Sequence, residues 1–225
     1  PYPHLYLGAA YGMRGLAKLY AGDYVSSYFD GKRGAAELRK AVALDPTLYN
    51  AYMGLGQFEY YCGTLSGVLR FLLVLPGSPD KGLAMLATCG AKGTYASWPC
   101  RAYRARLMTG ERGQYAQAAP ELLALEARYP DNYDFAKALF RVLKAGVNTP
   151  ALRGAAAGWL ERVAHGYQPP SYAGLNIDAM RLGLGRAYAE AGDKADEETA
   201  LLPLLSRPLP WPQRARTLLP SLSKP

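Results

Sequence analysis

The sequence predicts an all-α fold of successive antiparallel helix pairs, about ten or eleven helices in all. Three observations predict it. No segment sustains the period-2 alternation of a half-buried strand. Small and apolar residues recur at helical spacing in the stretches between turns. A Leu-Gly pair followed by an aromatic recurs as Leu7-Gly8-x-x-Tyr11, Leu55-Gly56-Gln57-Phe58-Glu59-Tyr60 and Leu184-Gly185-x-x-Tyr188.

Tyr2 to Tyr20 reads as the first helix, with Leu5, Gly8, Ala9, Gly12, Leu16 and Leu19 on one side. Its glycines would each weaken an isolated helix by about 1 kcal/mol, so packing must hold it. Gly8 and Gly12 suit the close approach of a neighbour. Residues 21–31 either extend this helix past a kink or form an ordered loop. Lys32 to Leu44 is the second helix, stopped by Asp45-Pro46.

Asn50 to Tyr61 follows, then Leu65 to Leu75 as a short, very apolar helix. Pro76 to Asp80 turns the chain, with Ser78 or Asp80 placed to cap Lys81 to Cys89. Ser97-Trp98-Pro99 starts the helix Cys100 to Met108, and Gln114 to Tyr129 is its partner, ended by Pro130-Asp131-Asn132. Tyr133 to Lys144 comes next, then Ala151 to Ala164 behind Thr149-Pro150. Tyr172 to Ala191 ends at Gly192, and Asp193 to Leu205 pairs with it. Beyond Pro208, Pro210 and Pro212, the last helix, within 211–222, caps the chain.

Hydrophobic residues are 50% and charged residues 20% of the 225, a composition that can bury a core and is unlike that of a disordered chain. The longest apolar run, Phe71 to Leu75, is far too short to span a bilayer. The single Ile (Ile177) amid abundant Ala, Gly, Leu and Arg points to a GC-rich bacterial source. A start without Met favours a processed, extracytoplasmic (periplasmic) chain over a cytoplasmic one. A net charge of +8 attracts acidic partners without specifying any. Its densest groups, Lys32-Arg33 with Arg39-Lys40 and Arg101 with Arg104 and Arg106, read first as solvated helix faces. Cys62, Cys89 and Cys100 show neither CxxC nor zinc-ligand spacing. They read as small buried hydrophobes, and a Cys89–Cys100 bridge is also open, since one cysteine ends a helix and the other starts the next.

Second helices end alike, at Lys40-Ala41-Val42-Ala43-Leu44-Asp45-Pro46 and Leu125-Glu126-Ala127-Arg128-Tyr129-Pro130-Asp131-Asn132. With Gly113, Tyr115 and Ala118 before Pro130, this pattern resembles the tetratricopeptide repeat (TPR) superfamily. The segments Gly56 to Tyr61, Leu75 to Leu83 and Tyr129 to Asn132 look more narrowly like bacterial TPR-like proteins akin to a eukaryotic TPR group. The resemblance implies one right-handed superhelical domain over 1–225, a TPR-like α-solenoid. Its approximate repeats are 1–46, 49–93, 97–130, 133–165 and 172–207, with a capping helix at 211–222. Arg106 and Phe140 replace the small residue that lets paired helices cross closely. Pro46 and Pro130 leave room for two units longer than the usual repeat of about 34 residues. The excess holds the apolar connector 67–75, either an exposed patch or a buried one. The stretch Tyr49 to Gly93 around it is the distinctive variant.

The resemblance implies that first helices line a concave face where partners bind. That face would carry Asn50, Met53, Gln57, Tyr60 and Tyr61, then Tyr103, then Lys137, Arg141 and Arg186, with Asp134 and Lys144 beside them. Aromatic residues and Arg are common anchors, though tyrosines also serve to cover seams between repeats. No HExxH, Gly-x-Ser-x-Gly or P-loop occurs, and Gly183-x-Gly185-x-x-Ala187 follows no strand. His165, near a helix end, reads as a favourable dipole contact. The expectation is therefore a non-enzymatic protein–protein interaction scaffold or assembly subunit, with a protein or peptide partner and no cofactor or metal. The alternative is a basic module for an anionic polymer, nucleic acid or envelope glycan.

Overall fold

Most junctions predicted from turn chemistry become helix boundaries in the computed structural model of the chain, which describes residues 1–64, 77–164 and 176–218; His165, Gln168-Pro169-Pro170 and the start at Tyr172 lie outside them. Eleven α-helices and no strand occur among the described residues. Contacts divide the chain into two compact units, Pro1–Arg104 and Ala105–Pro225.

The first unit begins with α1 (Tyr2–Tyr20) and α2 (Tyr24–Leu44). Residues 24–31 are neither an extension of α1 nor a loop, because they open α2. Gly22, at φ 83°, takes the left-handed turn that side chains disfavour. Asp23 then caps α2 by accepting a hydrogen bond from the Ser26 amide at 3.1 Å. After a 3₁₀ turn (Tyr49–Ala51) come α3 (Tyr52–Thr64) and α4 (Pro79–Lys92). Ser78 is the residue that caps α4, accepting from the Lys81 amide at 3.3 Å. The start of α5 (Ser97–Gly110) completes this unit. The predicted helix 65–75 and the apolar connector lie outside the described residues.

The recurrent Leu-Gly pairs mark helix crossings. A Cβ at Gly8 would lie 2.7 Å from Leu38 and 3.0 Å from the Gly34 carbonyl, so α1 rests on α2 there. Gly56 faces the Gly82 carbonyl at 2.9 Å between α3 and α4. At Gly12 the neighbour comes close on the backbone side, since a Cβ at Gly34 would lie 3.1 Å from the Gly12 amide nitrogen, while nothing lies within 4 Å of where Gly12's own Cβ would point.

Two buried carboxylates tie the first unit together. Asp30 on α2, only 2% exposed, accepts from Arg14 at 2.5 and 2.7 Å and from Lys18 at 2.7 Å, both on α1. Glu59 on α3 accepts from Lys81 of α4 at 3.1 Å, with Arg39 of α2 at 3.8 Å. The hydrogen bond from Arg14, then that from Lys18, holds the Asp30 carboxyl well below the usual carboxylate range. Its ion pairs are therefore complete above the unfolded value near 3.8 and are lost as pH falls through the native pKa. Asp30→Asn is expected to lower Tm at neutral pH and to flatten the loss of Tm on acidification. Thermal unfolding across a pH series measures both, and an acid slope unchanged in the variant would contradict the assignment.

Cys89 and Cys100 form a disulfide, with their Cα atoms 6.0 Å apart. The bridge, the second of the two readings, joins the last turn of α4 to the first of α5. Cys62 is the free cysteine, and it is buried. Burial, then the nearby Glu59 carboxylate, pushes its thiol up to about 12, so it stays an unreactive thiol at neutral pH.

The second unit holds the rest of α5, then α6 (Tyr115–Arg128), α7 (Tyr133–Lys144), α8 (Pro150–Ala164), α9 (Ile177–Ala191), α10 (Lys194–Leu201) and α11 (Trp211–Leu218). Asn132 caps α7 and Asn176 caps α9 through their side-chain oxygens. Gly192, at φ 75°, closes α9 in the left-handed conformation. Leu122, Leu125, Leu139, Leu152, Trp159 and Leu201 fill the core. Phe140 turns inward and meets the edge of Trp159 at 6.0 Å, while Arg106 is exposed. Gly185 repeats the Leu-Gly crossing, since a Cβ there would meet Leu201 at 2.4 Å.

Candidate functional site

One face from each of α1, α2 and α3 converges on a cavity of about 490 Å³ in the first unit. From α1 come Leu5, Gly8, Ala9, Gly12, Leu16 and Leu19. From α2 come Tyr28, Gly31, Gly34, Ala35 and Leu38. From α3 and the turn before it come Asn50, Met53, Gly54, Gln57, Phe58 and Tyr61. Each set recurs at three- and four-residue steps, the spacing of one helix face. Of the lining glycines Gly12 faces open space, whereas Gly8, Gly31, Gly34 and Gly54 stand against Leu38, Phe58 and neighbouring backbone.

Tyr95 and Ala96, between α4 and α5, add a fourth wall. Asn50 fixes that wall: its Nδ2 donates to Thr94 Oγ1 at 2.8 Å and its Oδ1 accepts from the Ala96 amide at 3.1 Å. Ser97 Oγ donates to the Gly90 carbonyl at 2.6 Å, and the disulfide holds both ends of the loop. Tyr6, Met13, Tyr24 and Tyr95 line the cavity and are also exposed, with Met13 at 73%. They form an aromatic and sulfur-bearing rim.

Among the described residues no charged side chain lines the cavity. Burial raises the Tyr28 phenol above its ordinary value. The same effect, then the nearby Tyr6 and Tyr2, raises that of Tyr95. Both therefore remain neutral at physiological pH. Ser27 Oγ donates to the Gly15 carbonyl at 2.8 Å, and the Tyr61 and Tyr103 hydroxyls bond each other at 2.8 Å. Such a space accepts apolar matter and offers few polar groups to anything entering it. Among the described residues no group of three or more His, Cys, Asp or Glu is placed to hold a metal ion. No helix among them is long and apolar enough to cross a membrane.

Of the residues predicted for a partner surface, Asn50, Met53, Gln57 and Tyr61 meet at this cavity, and Tyr103 joins through its bond to Tyr61. Asn50 is there as a structural clamp, because both ends of its amide are engaged by the 94–96 loop. Tyr60 is fully buried, at 0% exposure, and is a core residue that no partner can touch. It points to the opposite side of α3, against α4, where Gly82 gives it room. Lys137, Arg141 and Arg186 belong to the second unit and do not contribute to the cavity. Lys137 lies over the Tyr133 ring at 5.3 Å, and Arg141 and Arg186 are exposed.

The α1 and α2 walls were missed from sequence, since their glycines were read only as close-packing positions. An available signal was the coincidence of those glycines with tyrosines on the same two helices. No family model matches the chain, and comparison with curated proteins and with solved structures finds no match.

Proposed function

We propose that this chain is a non-enzymatic binding protein of TPR-like helical-repeat architecture, whose first unit takes up the apolar part of a partner between α1, α2 and α3. The observation that carries this reading is the uncharged cavity of about 490 Å³ opening at an exposed rim of Tyr6, Met13, Tyr24 and Tyr95. Cavities of this size and character are where apolar ligands bind, and monomeric surfaces seldom leave such residues grouped without use. The glycine-mediated crossings of α1 with α2, α3 with α4 and α9 with α10 support an architecture of repeated helix pairs. The Cys89–Cys100 bridge supports an extracytoplasmic location, because disulfides persist in oxidising compartments.

The alternative, an anionic polymer on a basic surface, has less behind it. Arg14, Lys18, Arg39, Lys40 and Lys81 are each paired with a carboxylate within the first unit. Titration of the full chain with the neutral dye Nile red tests the preferred reading. One saturable site per chain is expected, with little dependence on salt. Binding that is not saturable, or that is unaffected by Gly12→Leu within the cavity, would refute it.

A further inference from the structure

We infer that the cavity between α1, α2 and α3 holds a single long, unbranched alkyl chain, the acyl part of a lipid or fatty acid. This rests on the reading of the cavity as a binding site and names its occupant.

Shape is the first argument. Lining residues run from Leu5 to Leu19 on α1 and from Tyr24 to Leu38 on α2. At 1.5 Å per residue, each wall is about 21 Å long. The α3 wall, from Asn50 to Cys62, is nearly as long. A lining that extends this far along each of three helices suits an extended chain better than a compact ring system.

Polarity is the second argument, and it decides against a peptide. Every residue of a peptide main chain brings an N–H and a C=O, each costly to bury without a partner. Ser27, Asn50 and Tyr61 already direct their polar atoms to protein groups. Gln57 and the Tyr28 hydroxyl remain to meet a polar atom, together with the tyrosine hydroxyls of the rim. That inventory fits one head group at the mouth and methylenes within. It does not fit a run of amides.

Wall texture is the third. Gly12 has open space before it. A wall without a side chain at that level suits a chain that offers only methylenes. With no charged side chain in the lining among the described residues, the chain itself, more than an anionic head, is what the site recognises.

The test uses the full chain and cis-parinaric acid, a fatty acid that fluoresces in apolar surroundings. Its methyl ester and phosphatidylcholine vesicles carrying a parinaroyl lipid form two further arms. A capped Leu-rich peptide serves as competitor against Nile red. Acid and ester are expected to bind at one per chain with similar affinity. In a series of saturated competitors, affinity is expected to rise by about fourfold for each added methylene and then to level off. Gly12→Leu, which projects a side chain into open space, is expected to weaken binding by at least about tenfold without lowering Tm. Ala9→Leu on the same face is a second block should that variant fold poorly. Uptake from vesicles would identify membrane lipid as the source, and uptake of the free acid and ester alone would identify free chains. Both outcomes support the inference. If Nile red binds while neither acid nor ester does, or the peptide displaces it and saturated chains do not, the acyl assignment fails and the cavity reading survives. If none of the probes binds, both fail.

Discussion

Gly82→Ala is expected to lower the unfolding free energy by about 3 kcal/mol, at the upper end of what overpacking a close contact costs. The added Cβ would lie 2.7 Å from the Gly56 carbonyl oxygen and 2.8 Å from both the backbone nitrogen and the Cβ of Tyr60. These are parts of α3 that cannot swing aside, so α3 and α4 would have to separate. Separation would also lengthen the bond from Lys81 to Glu59. Gly12→Ala provides the control of opposite sign. It meets nothing within 4 Å and replaces a helical glycine, so it should stabilise by up to about 1 kcal/mol. Urea unfolding followed by far-UV circular dichroism measures both. Equal effects of the two substitutions would show that the α3–α4 crossing is looser than described.

Replacing Cys89 and Cys100 together by Ala should cost about 2–3 kcal/mol, the loss expected when a short loop is released in the unfolded chain. The released loop is the one that presents Tyr95 and Ala96 to the cavity. Nile red affinity should therefore fall along with stability, though part of the wall stays pinned by Asn50. Reduction of the unmodified chain should move both quantities in the same direction. If stability falls while affinity is untouched, the loop's contribution to the cavity is dispensable.

Much of the helical layout was legible because it depends on local chemistry. The boundaries of α1 and α7 follow from periodicity and stop signals a few residues away. The start of α2 was not, since Asp23 as a cap competes with the continuous small and aromatic pattern that runs through Tyr20 and Tyr24. The Leu55-Gly56 pair was correctly assigned to packing. The disulfide was legible only as one of two possibilities, because sequence places two cysteines on adjacent helices without stating the angle between them.

The site divided along the same line. Helical spacing put Met53, Gln57 and Tyr61 on one face of α3, yet it also admitted Tyr60, which faces α4 and is wholly buried. Neighbouring positions on a helix point about 100° apart, and a wide candidate stripe cannot say which edge another helix will cover. Gly8 and Gly12 look alike in sequence. Gly34 of α2 approaches the backbone of both, yet a Cβ on Gly8 would point at Leu38 and one on Gly12 into open space.

The sequence by itself determined that the described parts of the chain are helical and without strands, and where most of those helices begin and end. Periodicity, caps and breakers act within a few residues and leave their marks in order along the chain. Only the tertiary structure decided that Cys89 reaches Cys100, that Asp30 gathers Arg14 and Lys18, and that three helix faces leave an uncharged channel between them. A cavity is the space that side chains from distant segments fail to fill, so it has no residue of its own to announce it.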